Sequence, residues 1–156
     1  MITKSGPKVI EYNCRFGDPE CQTIMPLMDQ DFVFLLEKCS MGNLTGDEKI
    51  NLTNKVSGCV IATSKGYPHE YKTGFPITLG NVDSNDCQIF DSGTSLNKEG
   101  NLITDGGRVL SIVCQDKDFD IVFEKAYKNL KKISFDGIYF RNDIGHQVRK
   151  NFSKEN

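Results

Sequence analysis

Tryptophan is absent from this 156-residue chain, histidine occurs only twice, and neither sign of charge prevails, with 19 Lys and Arg against 21 Asp and Glu. A chain without a basic excess cannot neutralise a run of phosphates, so nucleic acid is not an expected partner. Long apolar runs are missing too. The longest, Phe32 to Leu36, falls far short of the ~20 residues a membrane-spanning helix needs, so no membrane partner is expected either. The N-terminal residues lack the apolar stretch of a signal peptide, and the six cysteines (Cys14, Cys21, Cys39, Cys59, Cys87, Cys114) include no C-x-x-C pair. Together these features predict reduced thiols and a cytoplasmic protein. The common phosphate-loop, dinucleotide, serine-hydrolase and zinc-protease signatures are also lacking. What remains, 38% hydrophobic and 26% charged residues, is the composition of an ordinary folded domain.

Residues 8–13, K-V-I-E-Y-N, read as a strand whose period of two puts Glu11 and Asn13 on one face. Gly17-Asp18-Pro19-Glu20 then reads as a helix start, with Asp18 as the cap and Pro19 in the first helical position. The helical stretch runs to about Ser40, and Pro26 predicts a kink or two short helices, the second beginning near Asp29. Residues 43–55 are polar and turn-rich and form the best boundary. Beyond them, residues 56–63, 75–79, 87–90 and 108–114 read as strands. Phe119, Val122, Phe123, Ala126, Tyr127 and Leu130 form an apolar helical stripe, expected to close over the sheet.

The chemistry concentrates in residues 11–22. Glu11 and Asn13 offer two hard oxygens from one strand face, which suits Mg²⁺, an ion usually held by one or two protein oxygens together with substrate phosphates. Arg15 continues that face with a planar fork matched to carboxylate or phosphate. A strand edge of alternating polar residues also suits plain solvation, and D-P-E is a routine helix start. Spacing leaves both readings open.

Residues 15–22, R-F-G-D-P-E-C-Q, preceded by E-Y-N-C, resemble the R-F-G-D-P-E-x-Q signature of glycinamide ribonucleotide synthetase (phosphoribosylamine–glycine ligase). S-K-G-Y-P at 64–68, T-D-G-G-R-V-L at 104–110 and R-N-D-I-G at 141–145 resemble that family's later blocks in the same order. The resemblance covers roughly residues 8–149. It implies an α+β chain in two parts: residues 1–50, the C-terminal remnant of an ATP-grasp domain, then residues 51–150, a small, mostly antiparallel β domain with a covering helix. The implied reaction joins glycine to 5-phosphoribosylamine at the expense of ATP, through a glycyl phosphate, in purine synthesis. Glu11 and Asn13 match the family's Mg²⁺ (or Mn²⁺) ligands. Arg15 and Asp18 would lie beside the acyl phosphate and substrate as catalytic groups. Gly107 and Arg108, with Gly106, would approach the substrate or simply form a tight turn into a core strand. Glu20 would be a helix-start charge.

Two departures from the family pattern stand out. Asp91-Ser92-Gly93-Thr94 occupies the place of H-A-G-T, and His69-Glu70 that of G-D, which makes His69 a surface loop residue. The family's adenine pocket and phosphate-covering loop have no counterpart before Lys8, so this polypeptide alone is expected to lack ligase activity and to need the N-terminal part of the enzyme as partner. Two other readings compete. One is a non-catalytic β-rich module; the other is a homodimeric aspartic protease, because residues 91–94 imitate the D-[ST]-G-[ST] turn and Asp91 would be its carboxylate.

Overall fold

The computed structural model describes residues 1–11 and 14–150. A small antiparallel hairpin, β1 (Ile2–Thr3) with β2 (Gly6–Pro7), opens the chain. The strand expected over residues 8–13 is not found in its described part. Residues 8–11 are irregular, and Tyr12 and Asn13 lie outside the described residues. The amide of Lys8 still bonds the carbonyl of Met1, but Val9 and Ile10 are 69% exposed and pair with nothing among the described residues. Extended backbone becomes a strand only where a neighbour takes up its N–H and C=O groups.

Two short helices follow, α1 (Glu20–Ile24) and α2 (Phe32–Ser40), with a 3₁₀ turn over Met25–Leu27 between them. Pro26 sits near the start of that turn, as its missing N–H requires. Asp31 caps α2 by accepting from the amide of Phe34, so α2 begins slightly later than its sequence suggests. The cap of α1 differs from expectation as well. Pro19 occupies the N-cap position, and the Asp18 carboxylate is engaged elsewhere. Glu20 reaches back to the amide of Gly17 at 2.7 Å, in the manner of a capping box.

Residues 43–55 carry no helix or strand beyond a single bridge at Leu52. Glu48 orders this stretch by accepting the amides of Thr45 and Gly46, with Lys38 at 3.5 Å. Those backbone hydrogen bonds pull its carboxyl down to about 2.

The core begins at Val56. A four-stranded antiparallel sheet runs in the order β4 (Cys87–Asp91), β7 (Arg108–Asp116), β3 (Val56–Ser64), β8 (Ile138–Tyr139). A small pair, β5 (Thr94–Leu96) with β6 (Leu102–Thr104), stands beside it. The apolar stripe forms α3 (Phe119–Leu130), capped by Asp118, and packs on β3 and β7. The side chains of Val122 and Phe123 come so close to Gly58 of β3 that a Cβ there would lie 2.7 and 2.9 Å from them. Val60, Leu110, Ile112, Val122 and Leu130 are each at most 1% exposed. Residues 75–79, expected as a strand, make only isolated bridges, Pro76 to Ile103 and Thr78 to Ser134.

The expectation of six reduced thiols is corrected. Cys87 and Cys114 lie directly opposite in the β4–β7 register and form a disulfide across 27 residues, with Cα atoms 4.1 Å apart. Only strand pairing brings these two together. Cys14, Cys21, Cys39 and Cys59 remain thiols.

Truncating the fully buried Leu110 to Ala is expected to cost about 2–5 kcal/mol, whereas Val33→Ala, on the exposed face of α2, should stay within about 0.5 kcal/mol. Urea denaturation of the two variants checks this. Because the Glu48 carboxyl is depressed, its contribution is complete above the ordinary value of 4.5 and fades as pH falls toward 2. An NMR titration of this carboxyl should find its midpoint near the lower figure.

Candidate functional site

Arg108 opens β7, and its guanidinium reaches back 90 residues along the chain to Asp18, with Nη2 donating to Oδ2 at 2.8 Å and Nη1 donating to the backbone oxygen at 3.0 Å. Gln22 donates from Nε2 to the other carboxylate oxygen of Asp18 at 2.9 Å. Asp18 therefore accepts a hydrogen bond from its own chain on each carboxylate oxygen, which anchors the turn into α1. Arg108 correspondingly spends its fork on Asp18. The pair is 37% and 47% exposed, a setting in which an ion pair is worth ~0–1 kcal/mol, so its effect is to position rather than to stabilise.

The loops around Arg108 are packed backbone against backbone. A Cβ on Gly93 would lie 2.6 Å from the Cα of Gly106 and 2.7 Å from the carbonyl of Arg108. The amide of Gly93 donates to that carbonyl, and the amide of Asp105 donates to the carbonyl of Gly93. At the end of β3, the Ser64 amide bonds the carbonyl of Gly107 and its Oγ the carbonyl of Gly106, both at 2.8 Å. The Tyr67 ring lies directly on Gly107, where any side chain would collide with it. Thus Gly106 and Gly107 lie in a close-packed turn into a core strand, with the ring of Tyr67 against Gly107.

Of the sequence-expected residues, the structure brings together Asp18, Gly107 and Arg108. Glu11 is exposed and has no hydrogen bond or ion pair among the described residues. Its expected companion Asn13 lies outside the described residues. Arg15 is exposed and spends one N–H on the carbonyl of Phe16 at 3.0 Å, and its other donors make no hydrogen bond among the described residues. Ser64, Tyr67 and Gly93 were not expected as parts of this corner. The S-K-G-Y-P and S-G-T blocks were visible, but only the sheet register places them against Gly106 and Gly107. Burial pushes the thiol of Cys59, on β3, up to about 11, which disfavours the thiolate at neutral pH.

The model of the family described as "Phosphoribosylglycinamide synthetase, C domain" matches residues 57–147. The chain belongs to this family. The family's ATP-grasp (A) domain model matches residues 1–21 as well. A phosphoribosylamine–glycine ligase of Caldanaerobacter subterraneus is 46% identical over 92% of the chain, which spans 34% of that relative. The human trifunctional purine biosynthetic protein adenosine-3 is 40% identical over 95% of the chain, equal to 15% of its length. The solved phosphoribosylamine–glycine ligase of Thermotoga maritima superposes with a TM-score of 0.77 at 31% identity, covering 92% of this chain and 34% of that one. The chain therefore spans about a third of the length of the single-function ligases it matches. Membership also disposes of the protease reading: Asp91, at the exposed end of β4, pairs through its backbone with Leu110 in the family's own domain.

Arg108→Met should raise amide exchange across residues 18–24 while leaving β3 and β7 protected, as measured by hydrogen–deuterium exchange. Gly93→Ala forces backbone apart and is expected to cost about 1–3 kcal/mol in a thermal melt.

Proposed function

We propose that this chain acts as the C-terminal third of an ATP-dependent ligase that joins glycine to 5-phosphoribosylamine, working in the cytoplasm together with the ATP-binding portion of such an enzyme. The observation that carries the reading is the Arg108–Asp18 contact, which joins the segment matched to the ATP-grasp domain to the segment matched to the C domain. Burial supports the same division near residue 50: no described residue before Val56 is buried, whereas the sheet and α3 have a dense core. A segment with two helices and no buried side chain needs apolar surface from elsewhere, because most helix stability in proteins comes from packing.

A divalent cation fits what the described residues offer. Glu11 presents a hard-oxygen donor with no hydrogen bond or ion pair among the described residues. That pattern suits Mg²⁺ or Mn²⁺ shared between one or two protein oxygens and ATP phosphates. Glu11, with Asn13, would hold the ion, which when bound neutralises charge on the phosphates during transfer. Arg15 would use its open donors to bind and orient the anionic acyl phosphate. Asp18 and Arg108 would tie the α1 turn, three residues after Arg15, to the C domain. Phosphoryl transfer depends mainly on positioning, and these few groups cannot align ATP with glycine by themselves.

The isolated chain is accordingly expected to show no ADP release dependent on both glycine and phosphoribosylamine. Placed in the Caldanaerobacter ligase in exchange for its own C-terminal third, the chain should sustain that release; a folded chimera without turnover would overturn the proposal. In the chimera, Glu11→Ala should raise the Mg²⁺ requirement by roughly tenfold or more, and Glu20→Ala should hardly change it. Equal effects would remove Glu11 from the ligand set.

A further inference from the structure

Strand β4 forms one edge of the four-stranded sheet and lies along β7 as a continuous zipper. Just before β4 begins, the amide of Gln115 donates to the carbonyl of Asp86 at 2.8 Å; beyond its end, the amides of Ser92 and Gly93 donate to the carbonyls of Val109 and Arg108 at 3.0 and 2.8 Å. Bonded and unbonded pairs alternate along an antiparallel ladder, so the rung next to Asp86 and Gln115, where Cys87 lies opposite Cys114, is an unbonded one. The disulfide is what ties that rung. We propose that the Cys87–Cys114 bond is a redox-exchange site, opened by a small dithiol reductant that attacks Cys87, and that its reduction frees the start of β4 from the sheet.

Both cysteines are buried, so the bond is out of reach while β4 lies flat. The two sulfurs are nevertheless guarded differently. Cys114 belongs to a strand paired on both sides, opposite Cys87 and opposite Gly58 of β3. Cys87 opens the edge strand and follows the exposed residues 83–86. What holds that loop end down is polar: the Asp86 carboxylate pairs with Lys55 at 2.6 Å and Lys125 at 3.2 Å, in partly exposed contacts of a kind that hold weakly. Peeling the start of β4 therefore gives up two such ion pairs and one backbone bond before the sulfur of Cys87 is uncovered.

The exchange needs the dithiol and nothing else. One thiolate of the reductant attacks the sulfur of Cys87; a new sulfur–sulfur bond forms as the old one breaks, and the bonding pair leaves on the sulfur of Cys114. The second thiolate then attacks the reductant's own sulfur in this mixed disulfide and displaces the sulfur of Cys87. The reductant ends as a closed disulfide, its two protons pass to the two cysteines, and the protein has gained two electrons. Disulfides of cytoplasmic proteins, where the ligase reading would place this chain, are usually transient or redox-sensing, although the exchange itself does not depend on that reading. The strand that is released runs directly into the Arg108 corner, because the Gly93 amide bonds the carbonyl of Arg108 and its carbonyl takes the amide of Asp105 at 2.7 Å. With the bond cut, β4 keeps its ladder hydrogen bonds and the packing of Ile89 against the core, but loses its covalent tie.

The test follows the full, air-oxidised chain with and without dithiothreitol, in the absence of denaturant. Alkylation after a denaturing quench should find Cys14, Cys21, Cys39 and Cys59 modified before reduction, with Cys87 and Cys114 added after it. Glutathione, a monothiol, should leave its mixed disulfide on Cys87 about tenfold more often than on Cys114. On reduction, hydrogen–deuterium exchange should rise about tenfold at residues 87–93 while β3 and α3 keep their protection. Asp86→Asn, which removes the ion pairs and leaves both sulfurs in place, should speed reduction by roughly threefold or more. Cys87→Ala combined with Cys114→Val should show the raised exchange with and without dithiothreitol; the reduced native chain carries the same test if that variant does not fold. The proposal is overturned by alkylation of Cys87 and Cys114 before reduction, by a bond that dithiothreitol cuts only in denaturant, or by adducts on Cys114. Unchanged exchange at 87–93, a reduction rate indifferent to Asp86→Asn, or loss of protection throughout the sheet would overturn it equally, the last by making the disulfide a structural cross-link.

Discussion

Strand β7 pairs with β3 on one side and β4 on the other, and almost every other feature is attached to that double pairing. Val109 to Cys114 are each at most 2% exposed, so the strand is covered on both faces over most of its length. Its ends do different things. At Asp116, Lys125 of α3 reaches the carboxylate at 2.7 Å and also contacts Asp86, which Lys55 holds at 2.6 Å. Hydrogen bonds from the lysines lower both carboxyls, and Lys125 is raised in return. That network ties together the end of the sheet where β4 begins. At Arg108 the strand instead faces the motif-bearing segment, so the end of the sheet opposite the network is the one that carries the recognisable chemistry.

The Arg108 end is built from glycines because three chain segments cross within one backbone thickness. Gly93 and Gly106 touch Cα to Cα, and Gly107 lies beneath the Tyr67 ring. No side chain could intervene without separating the turn before β7 from the β4–β5 loop. What this close packing achieves is a fixed origin for Arg108. A guanidinium on a mobile loop would pair with Asp18 only some of the time, whereas one rooted in a covered strand presents its fork in a constant direction. The Asp91-Ser92 departure from the family pattern falls at the edge of this packed corner, outside the glycine contacts.

Much of the second half was legible because its signals are strong and periodic. The α3 stripe gave the helix its observed bounds, and the β-branched runs at 56–63 and 108–114 marked the two central strands to within two residues. The shorter strands β5, β6 and β8 escaped notice, since two or three residues carry no readable alternation. Residues 75–79 failed in the opposite direction: their pattern suits a strand, yet the chain offers them only isolated partners. Around the site, the R-F-G-D-P-E block announced which residues matter but not what each does. Asp18 reads as a helix cap from its neighbours, and nothing local reveals that an arginine 90 positions away will claim it. The Cys87–Cys114 pairing was hidden for the same reason.

The register of the central pair bears on how such a chain comes to be folded at all. Val56 lies opposite Asp116, so the two strands that define the core are brought together across most of the domain's length. During synthesis β3 leaves the ribosome well before β7 exists, and for that interval its apolar face and both hydrogen-bonding edges have no partner. Topologies dominated by such distant pairings fold slowly and are exposed to aggregation while they wait. Closing the core waits on β7 and then on α3, which brings Val122, Ala126 and Leu130 after it.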